Sequence, residues 1–369
     1  MNMIKNLFLL ALTTFALFSC SNGEDSIPEQ KTKNVVVQFA PSSLSRAVGT
    51  PVTATDKAEV NDYYIFFLDA AGNVVEGTKS LTTKPDLSQA ITCTNVGATA
   101  VSAYMVANIG SSLANIDLSN ISTSNTLAEI KAKTAEVSKQ QTIGSVVLSN
   151  SAKTDNGKII ATTTSGATTY AATIELAPAI SRLEIAKITG TGDVKGFKLD
   201  AIYIDGHAVK FNIGGGYDKT PATGTNIKDG IYSIGVDNSL LSGYPSEFGD
   251  IPGSAIEATE VSGKYVASPE TGKVWAYQLA AGAPMPKIIV QLKEVKDGST
   301  TSGVKYVTVT NYKVGGNAYT QLVAGTVYKI DEISFEVKNT AEVPNATEKN
   351  VDVTVTIKAW DGVNRPPEV

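Results

Sequence analysis

The sequence predicts an all-β protein with one short helix, arranged as two β-sandwiches in tandem. Three observations carry that reading. Apolar and polar residues alternate with a period of two along much of the chain. Threonine, serine, valine and glycine are abundant, which suits strands and tight turns better than helices. Turn-forming residues punctuate the apolar runs at short intervals.

Taken in order, residues 34–40 (NVVVQFA) place Val35, Val37 and Phe39 on one face. Residues 62–68 (DYYIFFL) are strongly β-prone and end in the turn 69–73 (DAAGN). Val74-Val75 and the segments 90–94 and 100–108 read as further strands. Leu127, Ile130, Thr134 and Val137 fall at helical spacing, predicting a helix over 126–138 capped by Asn125 or Ser124. Strands resume at 145–148, 158–163 and 168–176. Pro178 and the following AISRLEIAKI mark the start of a second domain, with strands at 196–204, 273–279, 287–294, 305–309, 327–337 and 351–359. The glycine-, proline- and serine-rich stretch 214–269 is expected to form long loops.

The chain has 369 residues, 42% of them hydrophobic, which is enough for more than one core. A net charge of −5 and the lack of a basic, aromatic-rich patch argue against a nucleic-acid partner. Residues 1–20 (MNMIKNLFLLALTTFALFSC) combine a lysine with an apolar run too short to span a bilayer, the pattern of a secretory signal over residues 1–19. The ending Leu17-Phe18-Ser19-Cys20 resembles a bacterial lipobox, which makes Cys20 the expected lipidated residue and lipid the expected link to the membrane. Cys93 is then the one remaining thiol, without an internal disulfide partner, and is expected to be a small buried hydrophobe.

Residues that carry chemistry are sparse. His207, the only histidine, lies in the turn-like Asp205-Gly206-His207 and is expected to be solvated. No nucleophile-elbow motif accompanies it. Gly214-Gly215-Gly216 leads into Tyr-Asp-Lys-Thr-Pro instead of a helix, so a loop is a better reading than a phosphate cradle. No His, Cys or carboxylate cluster has metal-ligand spacing, and no cofactor is expected. Trp275 and Trp360 lie on strand patterns and read as core or interface residues. The sum points to a structural or binding protein, not an enzyme.

In order along the chain stand the lipobox at Cys20, the strand 34–40, Ser45-Arg46-Ala47, Tyr-Tyr-Ile-Phe-Phe, AYMVAN at 103–108, PAISRLEI and the terminal VTVTIKAW. This ensemble resembles the fimbrillins of Bacteroidota, subunits of surface pili whose domains are transthyretin-like β-sandwiches. The resemblance implies residues 20–46 as a lipidated propeptide containing the first strand, 47–178 as one sandwich and 179–369 as the second. It implies export to the outer membrane, then a cut between Arg46 and Ala47 by an arginine-specific protease. Loss of the first strand with Val35, Val37 and Phe39 then opens a groove for a strand from another subunit's C-terminal region.

The residues are compatible with that scheme. Removing three large apolar side chains from a core costs on the order of 5–9 kcal/mol. Val351, Val353, Val355 and Ile357 alternate with polar residues as a donor strand would, and the polar 339–350 segment is a candidate hinge. The partners implied are further copies or related pilus subunits, in a fimbrium serving adhesion or biofilm formation. Two rivals remain at this point: a tip or anchor component, and a lipid-anchored glycan- or host-ligand-binding protein. The latter expects exposed aromatic platforms at Tyr217, Tyr232, Tyr244 and Phe248.

Overall fold

Within 62–68 the apolar residues Tyr63–Leu68 form a strand, as their composition dictates, and the residues around it assemble a sandwich. The computed structural model describes residues 31–39, 60–81, 89–110, 114–141, 146–220, 226–346 and 349–359. The main strands of the first half are β1 (Thr32–Phe39), β2 (Tyr63–Leu68), β3 (Val74–Leu81), β4 (Ile91–Gly97) and β5 (Ser102–Ala107). After helix α1 (Leu127–Lys131) come β6 (Thr134–Glu136), β7 (Leu148–Asn150), β8 (Ile159–Thr164), β9 (Ala167–Ile174) and β10 (Leu176–Pro178). One sheet has the order β4-β1-β9-β8 and the other β10-β7-β5-β2-β3. Gly77 in β3 has φ +102°, and a Cβ there would lie 2.6 Å from the Val96 Cα, so only glycine lets β3 approach β4 this closely.

The second half continues with β11 (Ile180–Ile185), β12 (Ile188–Gly190), β13 (Val194–Asp205), β14 (Trp275–Ala280), β15 (Lys287–Asp297) and β16 (Lys305–Val314). It ends with β17 (Thr326–Ile330), β18 (Ile333–Phe335), β19 (Val351–Thr354) and β20 (Thr356–Ala359); shorter strands are named by their residues. One sheet runs β14-β11-β17-β20, and a larger one is centred on β13, β15 and β16. The fold is all-β, as the alternation predicts.

The helix is shorter than its spacing predicts. Thr126, not Asn125 or Ser124, caps it in a capping box with Glu129, and it ends at Lys131. Ala135 then pairs with Phe211 in an extended ladder, and 137–140 form a 3₁₀ turn. Ile130 and Val137 are both buried, so the spacing marks the inward face correctly. Ladder hydrogen bonds to residues some 75 positions away override the helical preference. The 327–337 run likewise divides into β17 and β18, which join different sheets. Stretch 214–269 is not all loop: Lys264–Ala267 pairs with β12, and 3₁₀ turns form at 238–243 and 246–248.

The two halves are joined by more than the chain. β6 pairs with Lys210–Asn212. Gln141 and Gln278 exchange backbone and side-chain bonds: Gln141 Nε2 donates to the Gln278 carbonyl at 3.0 Å, and the Gln278 backbone N–H donates to Gln141 Oε1 at 3.1 Å.

Candidate functional site

β1 is an interior strand, antiparallel to β4 on one side and parallel to β9 on the other. Its alternation faces Val35 and Val37 into the core, both 0% exposed, while Phe39 is partly buried. Lys33 is held at one end of the strand. Its Nζ donates to the carbonyls of Ala98 at 3.0 Å and Ala100 at 2.6 Å, and lies 4.7 Å from the centre of the Tyr170 ring. The lysine's pKa is lowered by partial burial. Without β1, the edges of β4 and β9 would face each other across a gap one strand wide, with unpaired backbone groups on both sides.

Val351, Val353, Val355 and Ile357 occupy two short strands instead of one. β19 runs parallel to β16, and β20 runs antiparallel to β17 at the margin of its sheet. The chain crosses between sheets at Val355, whose backbone N–H donates to the Lys313 carbonyl at 2.8 Å. Val351, Val353 and Val355 are buried and Ile357 is half-buried. Among the described residues, β19 and β20 are each paired on one side only.

The polar segment before β19 is anchored. Asn345, with its backbone at φ +56°, is 3% exposed. Its Nδ2 donates to Asp205 Oδ2 at 2.8 Å and to the Gly235 carbonyl at 2.6 Å. Ala341 exchanges backbone bonds with Tyr306. Within the described part of 339–350, Ala341 and Asn345 are therefore both tied to residues far along the chain.

Asp205 also accepts from Ser233 Oγ at 2.8 Å and from the Ile234 backbone N–H at 2.9 Å. His207 beside it is buried, contrary to the solvated side chain that its turn-like sequence predicts. Its Nδ1–H donates to the Ile204 carbonyl at 2.7 Å, and its ring stacks on Phe248 with centroids 3.7 Å apart. Burial pushes the imidazole down to about 4, so the ring is neutral near pH 7. Tyr244 and Phe248 pack in the interior with it, while Tyr217 and Tyr232 are partly covered, so the four do not form an exposed aromatic platform.

Cys93 is buried, and burial pushes its thiol up to about 11. Trp275 is likewise buried, on β14. A cavity of about 370 Å³ opens beside Tyr104, Lys131, Asn150 and Gly214, and its lining contains no His, Cys or carboxylate. Among the described residues, no group of His, Cys, Asp and Glu has the geometry to hold a metal. No helix among them is long and apolar enough to cross a membrane. Cys20, Arg46, Ala47 and Trp360 lie outside the described residues. The lysine at the end of β1 and the anchor at Asn345 escape a reading of the sequence, because each depends on carbonyls or carboxylates far along the chain.

Comparison with known proteins bears on this arrangement. The family model described as "Major fimbrial subunit protein (FimA)" matches residues 34–200, from within β1 into β13. No curated protein matches the chain significantly. Among solved structures, a candidate cell adhesion protein from Bacteroides eggerthii DSM 20697 is similar at 14% identity and a TM-score of 0.53, covering 89% of this chain and 96% of that one. A fimbrilin (FimA) from Porphyromonas gingivalis W83 is similar at 16% identity and a TM-score of 0.51, covering 91% and 99%. At such identities the likeness establishes a shared fold. The fimbrial subunit match over residues 34–200, with this fold over nearly the whole chain, supports a place among the fimbrillins of Bacteroidota, and the matched family is one of fimbrial structural subunits, not an enzyme class.

Proposed function

We propose that this pilus subunit is exported as a lipoprotein acylated at Cys20, cut between Arg46 and Ala47 by an arginine-specific protease, and polymerised by strand exchange. Before the cut it is held on the outer membrane, and afterwards it becomes part of an extracellular fimbrium serving adhesion or biofilm formation. The residue ranges 20–46, 47–178 and 179–369 are then the propeptide and the two sandwich domains. The vacated β1 position takes a strand from the Val351–Ile357 region of another copy or a related subunit.

One observation carries this reading. The segment on the N-terminal side of Arg46 is the interior strand of a sheet, with two wholly buried valines, so its loss leaves a core and two edges open together. With Phe39 only partly covered, the apolar burial lost is about 4–7 kcal/mol, on the scale of a domain's net stability. An arginine-specific enzyme also finds few targets. The chain has three arginines, and Arg182 is wholly buried in β11, which leaves Arg46 and Arg365 as candidates.

Treating the full-length protein with an arginine-specific protease should yield an N-terminal Ala47 and multimers that resist mild denaturation. Arg46→Ala should stay uncut at that position and monomeric. Multimers formed equally well by Arg46→Ala would overturn the proposal.

A further inference from the structure

Two places in the chain share the tripeptide Lys-Asn-Val, and it occurs nowhere else. One is Lys33-Asn34-Val35-Val36-Val37-Gln38-Phe39, the body of β1, and the other is Lys349-Asn350-Val351-Asp352-Val353-Thr354-Val355. Both read lysine, asparagine, valine, then apolar residues at every second position. We infer that the incoming strand enters the β1 position in the direction and register of β1 itself, Lys349–Val355 of one copy standing where Lys33–Phe39 stood in the next. This inference rests on the strand exchange proposed above and adds its register, its polarity and a residue that selects both.

The physical case lies in what Lys33 leaves behind. Its three partners, the carbonyls of Ala98 and Ala100 and the ring of Tyr170, belong to the turn after β4 and to β9. All of them remain once β1 is gone. They form a socket for an ammonium group, two acceptors and an aromatic face at the mouth of an otherwise apolar groove. An apolar residue placed there would leave that socket unfilled.

Register is set next to the socket. Lys33 pairs with Val96 and Val35 with Cys93, so Thr94 and Asn95 together face Asn34 in a bulge, with Asn95 at φ +58°. A bulge fixes pairing at one place, and a slip by one residue would turn every inward valine outward. Lys349-Asn350-Val351 reproduces the three residues that meet this feature.

Polarity follows from the same spacing. In β1's direction, Lys349 reaches the socket while Val351, Val353 and Val355 take the positions of Val35, Val37 and Phe39. Run the other way with Ile357, Val355 and Val353, or with Val355, Val353 and Val351, in those three positions, the strand brings Ala359 or Ile357 to the socket. In the free subunit Lys349 is exposed, and its Nζ donates to the Thr340 carbonyl at 2.9 Å.

Cys93 supplies a built-in test, because it is the direct antiparallel partner of Val35 and both side chains are buried. Directly opposed residues of this kind sit about 4.5–5.5 Å apart at Cα, within disulfide reach. Full-length Val351→Cys, Val353→Cys, Val355→Cys and Ile357→Cys would each be processed with the arginine-specific protease, allowed to assemble and exposed to a mild oxidant. Val351→Cys should form an intermolecular disulfide to Cys93, lost in the Val351→Cys/Cys93→Ser double variant. A disulfide to Cys93 from another of the four instead would overturn the register while leaving strand exchange standing. Multimers with no disulfide in any variant would exclude this donor segment, and failure of the wild type to assemble would remove the reading beneath it. Separately, Lys349→Met should release subunits about tenfold faster in urea, with Lys349→Arg close to wild type. Equal release rates for Lys349→Met and wild type would overturn the role of the socket.

Discussion

His207 shows how much a single side chain's environment changes its chemistry. Its ring is enclosed by Phe248, Tyr232 and Tyr244, and its proton on Nδ1 is committed to the Ile204 carbonyl. Burial holds its pKa at about 4 in the folded chain, against an ordinary value of 6.5. The unfolded chain therefore takes up a proton before the folded one does. This contribution to stability is complete above about pH 6.5 and is lost as pH falls toward 4, amounting to about 3 kcal/mol across the window. In His207→Phe that part of the acid dependence should vanish, as urea unfolding at pH 7, 5.5 and 4.5 would reveal; the Ile204 carbonyl keeps the Tyr244 hydroxyl as a donor at 2.6 Å. Arg182 is a second case, wholly buried with its Nε 2.7 Å from Glu184 Oε1, and Lys329 lies 3.4 Å from the same carboxylate. The sequence displays both as charged residues two positions apart on a strand. It does not display that the strand is internal, paired with β14 and β17, so that both side chains lose water.

At the scale of the element, β1 is legible from its alternation alone, since Val35 and Val37 point inward as the period of two requires. Its partners are not legible, because parallel pairing to β9 joins residues about 135 apart. Val37→Ala removes two buried methyl groups and leaves a cavity in the sandwich. In the uncut chain it should lower stability by about 2–3 kcal/mol. After cutting at Arg46 and strand exchange the same substitution should be silent, because the residue is no longer there. Denaturant midpoints before and after processing would separate the two states. The helix gives the opposite lesson. The helical spacing located Ile130 and Val137 on the buried side, yet an extended ladder to Lys210–Asn212 cut the helix to five residues. The last strands are read correctly as apolar alternation, but the periodicity carries no sign of their division between two sheets at Val355.

Across the whole molecule, β6 and the Gln141–Gln278 exchange bind the sheets before Pro178 to those after it. Calorimetry of the wild type should therefore record one heat transition, and Gln141→Ala should broaden or divide it, because the two hydrogen bonds that the Gln141 side chain makes across the junction are lost together. The sequence by itself determined the strand-rich class, the inward faces of its strands, the buried character of Cys93 and the repeated Lys-Asn-Val segment. All of these follow from local spacing and composition, which one stretch of chain carries without reference to another. Only the tertiary structure decided that β1 is internal, that Lys33 is caged by Ala98, Ala100 and Tyr170, that His207 is dry, and that Asn345 pins the approach to the last strands. Each of those rests on backbone groups or side chains brought together from distant positions, where hydrogen-bond geometry and exclusion of water are set by the packed sheets and not by neighbours in sequence.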